Sequence, residues 1–235
     1  MIPQAALSGK HVAVVIPAYN EERTIAAVVR GLVTRGYSRI VVVDDSSEDR
    51  TAELARQEGA VVLRHIVNRG VGSAWGTGIK AALSFAPEII VTFDADGQHD
   101  PDDIPRLIEP IEKGQADVVI GSRLSDARGM PWPRRLANRT ADLVTLLLFG
   151  FWITDSQSGM RAFSHEAAGR IEISSGGMEI CSEMIAEVTR NRLRLKEVPI
   201  KAIYTEYSLS KGQSLRVGLD TLAKLILAKM RRSTP

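Results

Sequence analysis

The sequence predicts an α/β domain: a mostly parallel sheet with helices on both faces. Three observations carry this. Short apolar runs rich in β-branched residues recur through the first half of the chain. Segments with apolar residues at helical spacing separate them. Polar clusters follow the runs, at the strand ends where open α/β sheets gather their ligands. Buried parallel strands read as continuous apolar runs rather than alternating ones, which is the pattern here.

Taken in order, His11–Ile16 is the first strand and Pro17-Ala18-Tyr19-Asn20-Glu21-Glu22 follows it. Asn20 is the expected cap of a helix carrying Ile25, Val28, Val29 and Leu32 on one face. Ile40–Val43 is the second strand, ending at Asp44-Asp45-Ser46-Ser47, with a helix from about Asp49 to Glu58. Val61–Leu63 is the third, and Asn68-Arg69-Gly70-Val71-Gly72-Ser73 opens a helix reaching about Ala86. The fourth strand, Ile89 to Phe93, runs into Asp94-Ala95-Asp96-Gly97-Gln98-His99, followed by a helix started by Pro101 and the strand Val118–Ile120.

The second half is less regular. Arg134 to Ile153 reads as a helix with a basic beginning and an apolar end. A polar turn, Thr154 to Gly159, precedes a strand at Met160–Phe163, helices near His165–Ile171 and Met178–Arg190, strand-like Leu195–Ile203 and a final helix from about Leu215. No internal repeat or linker divides the chain. Residues 1–235 read as a single domain, with a nucleotide-type half over about 11–123 and an acceptor-type half over about 124–235.

Composition narrows the function classes. A formal charge of +2 gives no field that argues for nucleic acid. Cys181 is the only cysteine, which excludes an internal disulfide and a cysteine zinc cluster, and fits a reducing compartment. The start has no signal-peptide pattern. The longest apolar stretch, Leu143 to Ile153, is short of the roughly 20 residues a membrane span needs.

The stretch after the fourth strand holds the chemistry. Side chains two apart on extended backbone share a face, so Asp94 and Asp96 present carboxylates together. Such a pair calls for a positive partner, and a hard divalent cation suits it, with Gln98 adding a neutral oxygen. A turn with helix-capping aspartates is the other reading of this stretch taken alone. Asp44 and Asp45 point to opposite faces, so one of them faces a ligand, accepting from a ribose hydroxyl or base N–H; capping the next helix is the alternative. The glycines 70, 72, 76 and 78 do not match a dinucleotide fingerprint, whose third glycine falls on Trp75. They serve close helix packing, a phosphate-adjacent loop, or both. Among the histidines only His99 lies where an outer metal ligand would sit.

The chain resembles the family-two glycosyltransferases, inverting enzymes with the Rossmann-like GT-A fold. The stretches that carry the resemblance are Ile16-Pro17-Ala18-Tyr19-Asn20-Glu21-Glu22, Val43-Asp44-Asp45-Ser46-Ser47, Asn68-Arg69-Gly70-Val71-Gly72, Asp94 to Pro101 and Gly121-Ser122-Arg123. It is most similar to the dolichyl- or polyprenyl-phosphate sugar synthases, of the dolichyl-phosphate mannose synthase type. That closer likeness rests on Asp94-x-Asp96-x-Gln98-His99, on Thr154-Asp155-Ser156-Gln157-Ser158-Gly159-Met160-Arg161-Ala162-Phe163 and on Lys211-Gly212-Gln213-Ser214.

The resemblance implies that Pro17, Ala18, Tyr19, Glu21, Asp44 and Asp45, with Asp94, Ala95 and Asp96, bind the nucleotide sugar. It implies that Asp94, Asp96 and Gln98 hold Mg²⁺ or Mn²⁺ on the diphosphate. Arg123 falls near the transferred sugar or acceptor phosphate, with Arg135, Arg139 and Asp155 on the acceptor side, and Asp96, Arg123 and Lys211 form the catalytic set. Lys211 stands where these synthases commonly carry arginine; it keeps the charge but loses the bidentate fork.

Relatives that glycosylate a hydroxyl use a catalytic aspartate near Glu179-Ile180-Cys181-Ser182-Glu183, and none is present here, though Asp155 or Glu183 offers a substitute. A phosphate acceptor is already ionised and needs no base, so the expected reaction moves a hexose from a GDP- or UDP-sugar to a polyprenyl phosphate. The alternatives are transfer to a sugar hydroxyl in polysaccharide or glycolipid assembly and, more remotely, sugar nucleotidyl transfer. The apolar helices near 143–153 and 219–230, with Arg134, Arg135, Arg139, Lys229, Arg231 and Arg232, suit a membrane surface, or else core packing or a homodimer. The expected location is the cytoplasm, peripheral on the cytoplasmic face of a membrane.

Overall fold

The computed structural model describes residues 12–123, 153–177, 179–201 and 203. Seven strands form one sheet: β1 (Val12–Ala18), β2 (Arg39–Asp44), β3 (Val61–Arg64), β4 (Ile89–Thr92), β5 (Val118–Ser122), β6 (Arg161–Ser164) and β7 (Leu195–Pro199), in the order β3-β2-β1-β4-β6-β5-β7. Pairing is parallel except at β6, which runs antiparallel between β4 and β5. Four short strand–helix units thus supply one half of the sheet, and β6 is the strand that joins the later chain to it.

Six α-helices are described: α1 (Ile25–Val33), α2 (Thr51–Gln57), α3 (Val71–Leu83), α4 (Ile104–Glu112), α5 (His165–Arg170) and α6 (Ile180–Arg190). The expected one-sided face of α1 is present, with Ile25, Val28, Val29 and Leu32 buried. Burying each such side chain contributes roughly 1.5–3 kcal/mol. Strand periodicity divides the core in two. Val12, Val14 and Ile16 of β1 face the cluster that includes α1 and α4, whereas Ala13 and Val15 face the cluster with α3 and α6. Helix α3 lies directly on the sheet at Gly78, where a Cβ would come within 2.3 Å of Val15 Cγ1.

Asn20 departs from the expected cap. Its φ is +53°, and its side-chain oxygen accepts from Glu48 N at 2.9 Å while its own N–H donates to Ser47 Oγ at 2.9 Å. It ties the β1 loop to the β2 loop, and α1 starts five residues later. The final strand ends at Pro199, short of the expected Ile203. Beyond it Lys201 N donates to Asp103 Oδ2 and Ile203 N to Gln98 O, carrying the chain back to the carboxylate turn. The helices expected at 134–153 and from Leu215, with Arg135, Arg139 and Lys211, lie outside the described residues.

Candidate active site

Register places the polar clusters on one edge. Ala18 at the end of β1 pairs with Asp44 at the end of β2, and Thr92 at the end of β4 pairs with Val15. Asp94 and Asp96 therefore emerge on the side where Tyr19 and Asp45 emerge. This is the carboxyl edge of the parallel strands, where such sheets bind ligands.

In the turn after β4, Asp96 Oδ1 accepts from Gln98 N at 3.0 Å, and the Gln98 amide donates to Asp96 Oδ2 at 2.5 Å. Gly97 sits at φ +76°, which a side chain would strain. His99 stands behind Asp94: its ring is enclosed, and Nε2 donates to Asp94 Oδ2 at 2.8 Å. Nδ1 is buried without a partner. His99 thus orients Asp94 from behind instead of facing outward as a ligand.

The two carboxylates are electrostatically unequal. Burial works to raise Asp94, but His99, then Arg123 and Arg161, hold it below the ordinary carboxylate range. Burial and then the Asp94 charge push Asp96 up, with Glu21 adding to the rise. Unequal neighbouring carboxylates of this kind cluster at functional sites. Among the described residues no group of three or more His, Cys, Asp or Glu forms a metal cage. Two carboxylates and an amide oxygen are a hard, incomplete donor set, which fits Mg²⁺ or Mn²⁺ completed by substrate phosphate and water.

Across the sheet, Arg123 at the end of β5 is buried and forked onto Asp155. Nε donates to Oδ2 at 2.8 Å and Nη2 to Oδ1 at 2.9 Å, and the Arg123 N–H adds a bond to Oδ2 at 2.9 Å. Asp155 is fully enclosed. Its neighbours Thr154 N and Asp155 N donate to Glu197 of β7 at 2.9 and 3.2 Å. Gly159, at the far end of this turn, packs on Asp94; a Cβ there would lie 2.1 Å from Asp94 Oδ1. Glu183 accepts from Ser175 N at 2.8 Å, and from the Ser174 N–H and hydroxyl. Both carboxylates considered as substitute bases are thus engaged within the protein.

On the β1–β2 side, Pro17 and Ala18 are buried, Tyr19 is 45% exposed and Glu21 is 8% exposed. Glu21 N donates to Thr51 Oγ1 at 2.7 Å, and Thr24 Oγ1 donates to Glu21 Oε2 at 3.1 Å. Ala95 is buried between the two aspartates. Asp44 Oδ1 accepts from Ser47 N at 3.1 Å, and Arg64 Nε lies 3.2 Å from Oδ2. Asp45 accepts from Arg69 N at 2.9 Å, Gly70 N at 2.7 Å and His65 Nδ1 at 2.6 Å, while Thr77 Oγ1 stands 2.9 Å from His65 Nε2. Asp45 organises the loop entering α3. The glycines there serve close packing: a Cβ on Gly70 or Gly72 would meet the backbone of Gly176 or Ser175 within 2.2 Å, and Gly72 N donates to Gly176 O.

Sequence reasoning passed over Arg161, Gly159 and Glu197 as individuals. Arg161 carried a signal, since a charge between Met160 and Ala162-Phe163 stands in an otherwise apolar strand. Burial lowers its pKa, against the pull of Cys181, Asp155 and Asp94.

The fold and the carboxylate edge define a Rossmann-like α/β domain with its candidate site at the strand ends, and comparison with known proteins gives its class. Residues 13–171 match the glycosyl transferase family 2 model. The UDP-N-acetylglucosamine–dolichyl-phosphate N-acetylglucosaminyltransferase of Methanococcus voltae is 37% identical over 246 residues, covering 95% of this chain and 98% of its own. The polyprenol monophosphomannose synthase of Mycolicibacterium smegmatis is 31% identical over 227 residues, covering 90% of this chain and 85% of its own. Among solved structures, glucosyl-3-phosphoglycerate synthase from Mycobacterium tuberculosis, in complex with Mn²⁺, UDP-glucose and phosphoglyceric acid, superposes with a TM-score of 0.74 at 21% identity, covering 97% of this chain and 80% of that one. The chain belongs to glycosyl transferase family 2: it is a glycosyltransferase with the GT-A fold.

Proposed function

We propose that this enzyme moves a hexose from a nucleoside-diphosphate sugar to a polyprenyl or dolichyl phosphate, using Mg²⁺ or Mn²⁺, at the cytoplasmic face of a membrane. The observation that carries the acceptor class is the engagement of Asp155 by Arg123 and of Glu183 by Ser174 and Ser175. A hydroxyl acceptor must lose a proton to a base, and neither carboxylate stands open for that work. A phosphate oxygen attacks already ionised. The names of the two relatives support the acceptor class, one naming dolichyl phosphate and the other a polyprenol monophosphomannose, and the first also names a UDP-linked donor.

In this reading Tyr19 offers an exposed ring to the base, and Pro17, Ala18 and Glu21 shape the floor beside it. Asp44 and Asp45 hold the loops of the base and ribose side in place. Asp94, Asp96 and Gln98 would hold the divalent cation, which would supply positive charge to the leaving diphosphate. Arg123, its fork held by Asp155, lies near the transferred sugar or the acceptor phosphate, and Lys211 with Arg135 and Arg139 adds charge for the two phosphates. Among the described residues no helix is long and apolar enough to cross a membrane; a peripheral enzyme meets its lipid acceptor at the surface.

Melting curves with UDP, GDP and CDP, each with and without Mn²⁺, test the donor. One nucleotide raises the midpoint only when Mn²⁺ is present, because a ligand that binds the folded state stabilises it by mass action. That nucleotide's sugar is then offered with polyprenyl phosphate or with a soluble sugar acceptor. Transfer to the phosphate alone is expected, and transfer to the sugar alone sinks the acceptor assignment.

A further inference from the structure

Arg161 opens β6, level with Thr92 of β4 and Ile120 of β5, and is 1% exposed. Its described hydrogen-bond partners are three carbonyl oxygens and the Met184 sulfur, which Nη1 meets at 3.1 Å; none is a carboxylate. Nε donates to Ser158 O at 2.9 Å, Nη2 to Ser156 O at 2.7 Å and Nη1 to Cys181 O at 3.4 Å. Its face lies over Trp75 at 5.5 Å. Burying a guanidinium costs several kcal/mol unless its donors are satisfied, and a planar fork can hold two carbonyls of one turn at fixed spacing.

That turn has two working ends. Asp155 at its start grips Arg123, and Gly159 at its close presses on Asp94. Thr92 Oγ1 donates to Gly159 O at 2.7 Å and fixes the second end to β4. The geometry assigns Arg161 as a positioning residue: by pinning the carbonyls of Ser156 and Ser158 it sets Arg123 and Asp94 in register across the site. The inference rests on the glycosyl-transfer reading above, because it concerns how donor-side and acceptor-side groups of that site are aligned.

Arg161→Lys keeps charge and bulk but not the fork. It is expected to melt cooperatively and to retain the Mn²⁺-dependent nucleotide shift within about tenfold in affinity, while kcat falls roughly hundredfold, the scale of a misplacement near 1 Å. Hydrogen exchange in the metal-free protein should rise over residues 155–159 and stay unchanged in β1 and β2. If Arg161→Lys matches the wild-type kcat, or loses activity only in proportion to unfolded protein, Arg161 is a packing residue and the assignment is wrong. Should that variant not fold, Glu197→Ala loosens the same turn from its outer end; an unchanged kcat there also overturns the assignment. A wild type that no nucleotide stabilises with Mn²⁺ present defeats the donor reading itself, and this inference with it; the variants fail against a responding wild type only when the positioning role is wrong.

Discussion

Arg123 and Asp155 close a two-pronged, buried ion pair, Nε to Oδ2 at 2.8 Å and Nη2 to Oδ1 at 2.9 Å, between the end of β5 and the turn before β6. Breaking one side of such a pair strands a charge in low dielectric. Asp155→Leu should therefore lower stability by about 3–5 kcal/mol, read by thermal or urea unfolding. The double variant Arg123→Met/Asp155→Leu should regain most of that stability and still show no transfer. Restored activity in the double variant would show that Arg123 has no part in the chemistry.

Asp96 is the carboxylate that burial and its neighbour Asp94 raise. Asp96→Ala removes that repulsion along with one of the proposed cation ligands. It should leave the melting temperature without ligand unchanged or slightly higher, abolish the Mn²⁺-dependent nucleotide shift, and abolish turnover. A retained metal-dependent shift would remove Asp96 from the cation site.

Gly159→Ala places a methyl 2.1 Å from Asp94 Oδ1 if nothing moves. Either Asp94 or the turn must shift. The expected stability loss is about 1–3 kcal/mol, the usual range for overpacking. Transfer should fall much further than the folded fraction does, because the displaced group is one of the proposed cation ligands. Parallel unfolding curves and initial rates separate the two effects.

Burial raises the pKa of Glu183, but the hydrogen bonds from Ser174 and Ser175 outweigh it and leave the carboxyl below its ordinary value. Its stabilisation is complete above the unfolded glutamate value of about 4.3 and is lost as pH falls through the lower folded value. Glu183→Gln should thus be less stable than wild type by about 1–3 kcal/mol near neutral pH. The gap should begin to narrow as pH falls below the unfolded glutamate value of about 4.3 and close only once pH is below the lower folded value, where wild-type Glu183 protonates as well. A gap independent of pH would mean that shape, not charge, holds the 174–175 segment.

Local chemistry made much of this molecule legible in one dimension. Apolar runs of β-branched residues read as buried strands, and the Ile25, Val28, Val29, Leu32 spacing read as α1, because both patterns arise from backbone geometry alone. The Asp94-x-Asp96 pair was equally plain, since alternation along a strand puts both side chains on one edge. Asn20 misled, because a residue type that caps helices also tolerates φ +53°, and its partner Glu48 lies 28 positions away. The close packing that requires Gly70 and Gly72 was likewise out of reach, because the backbone of 175–176 that crowds them lies over a hundred residues further along the chain.

The sequence by itself determined the strand and helix periodicity, the carboxylate turn and the family. Only the tertiary structure decided the rest: that β6 runs antiparallel between β4 and β5, that His99 backs Asp94, and that Asp155 and Glu183 are engaged. The physical reason is range. Periodicity and turn preference are set by neighbours a few residues apart, whereas the state of a buried charge depends on partners that the sheet order brings from distant parts of the chain.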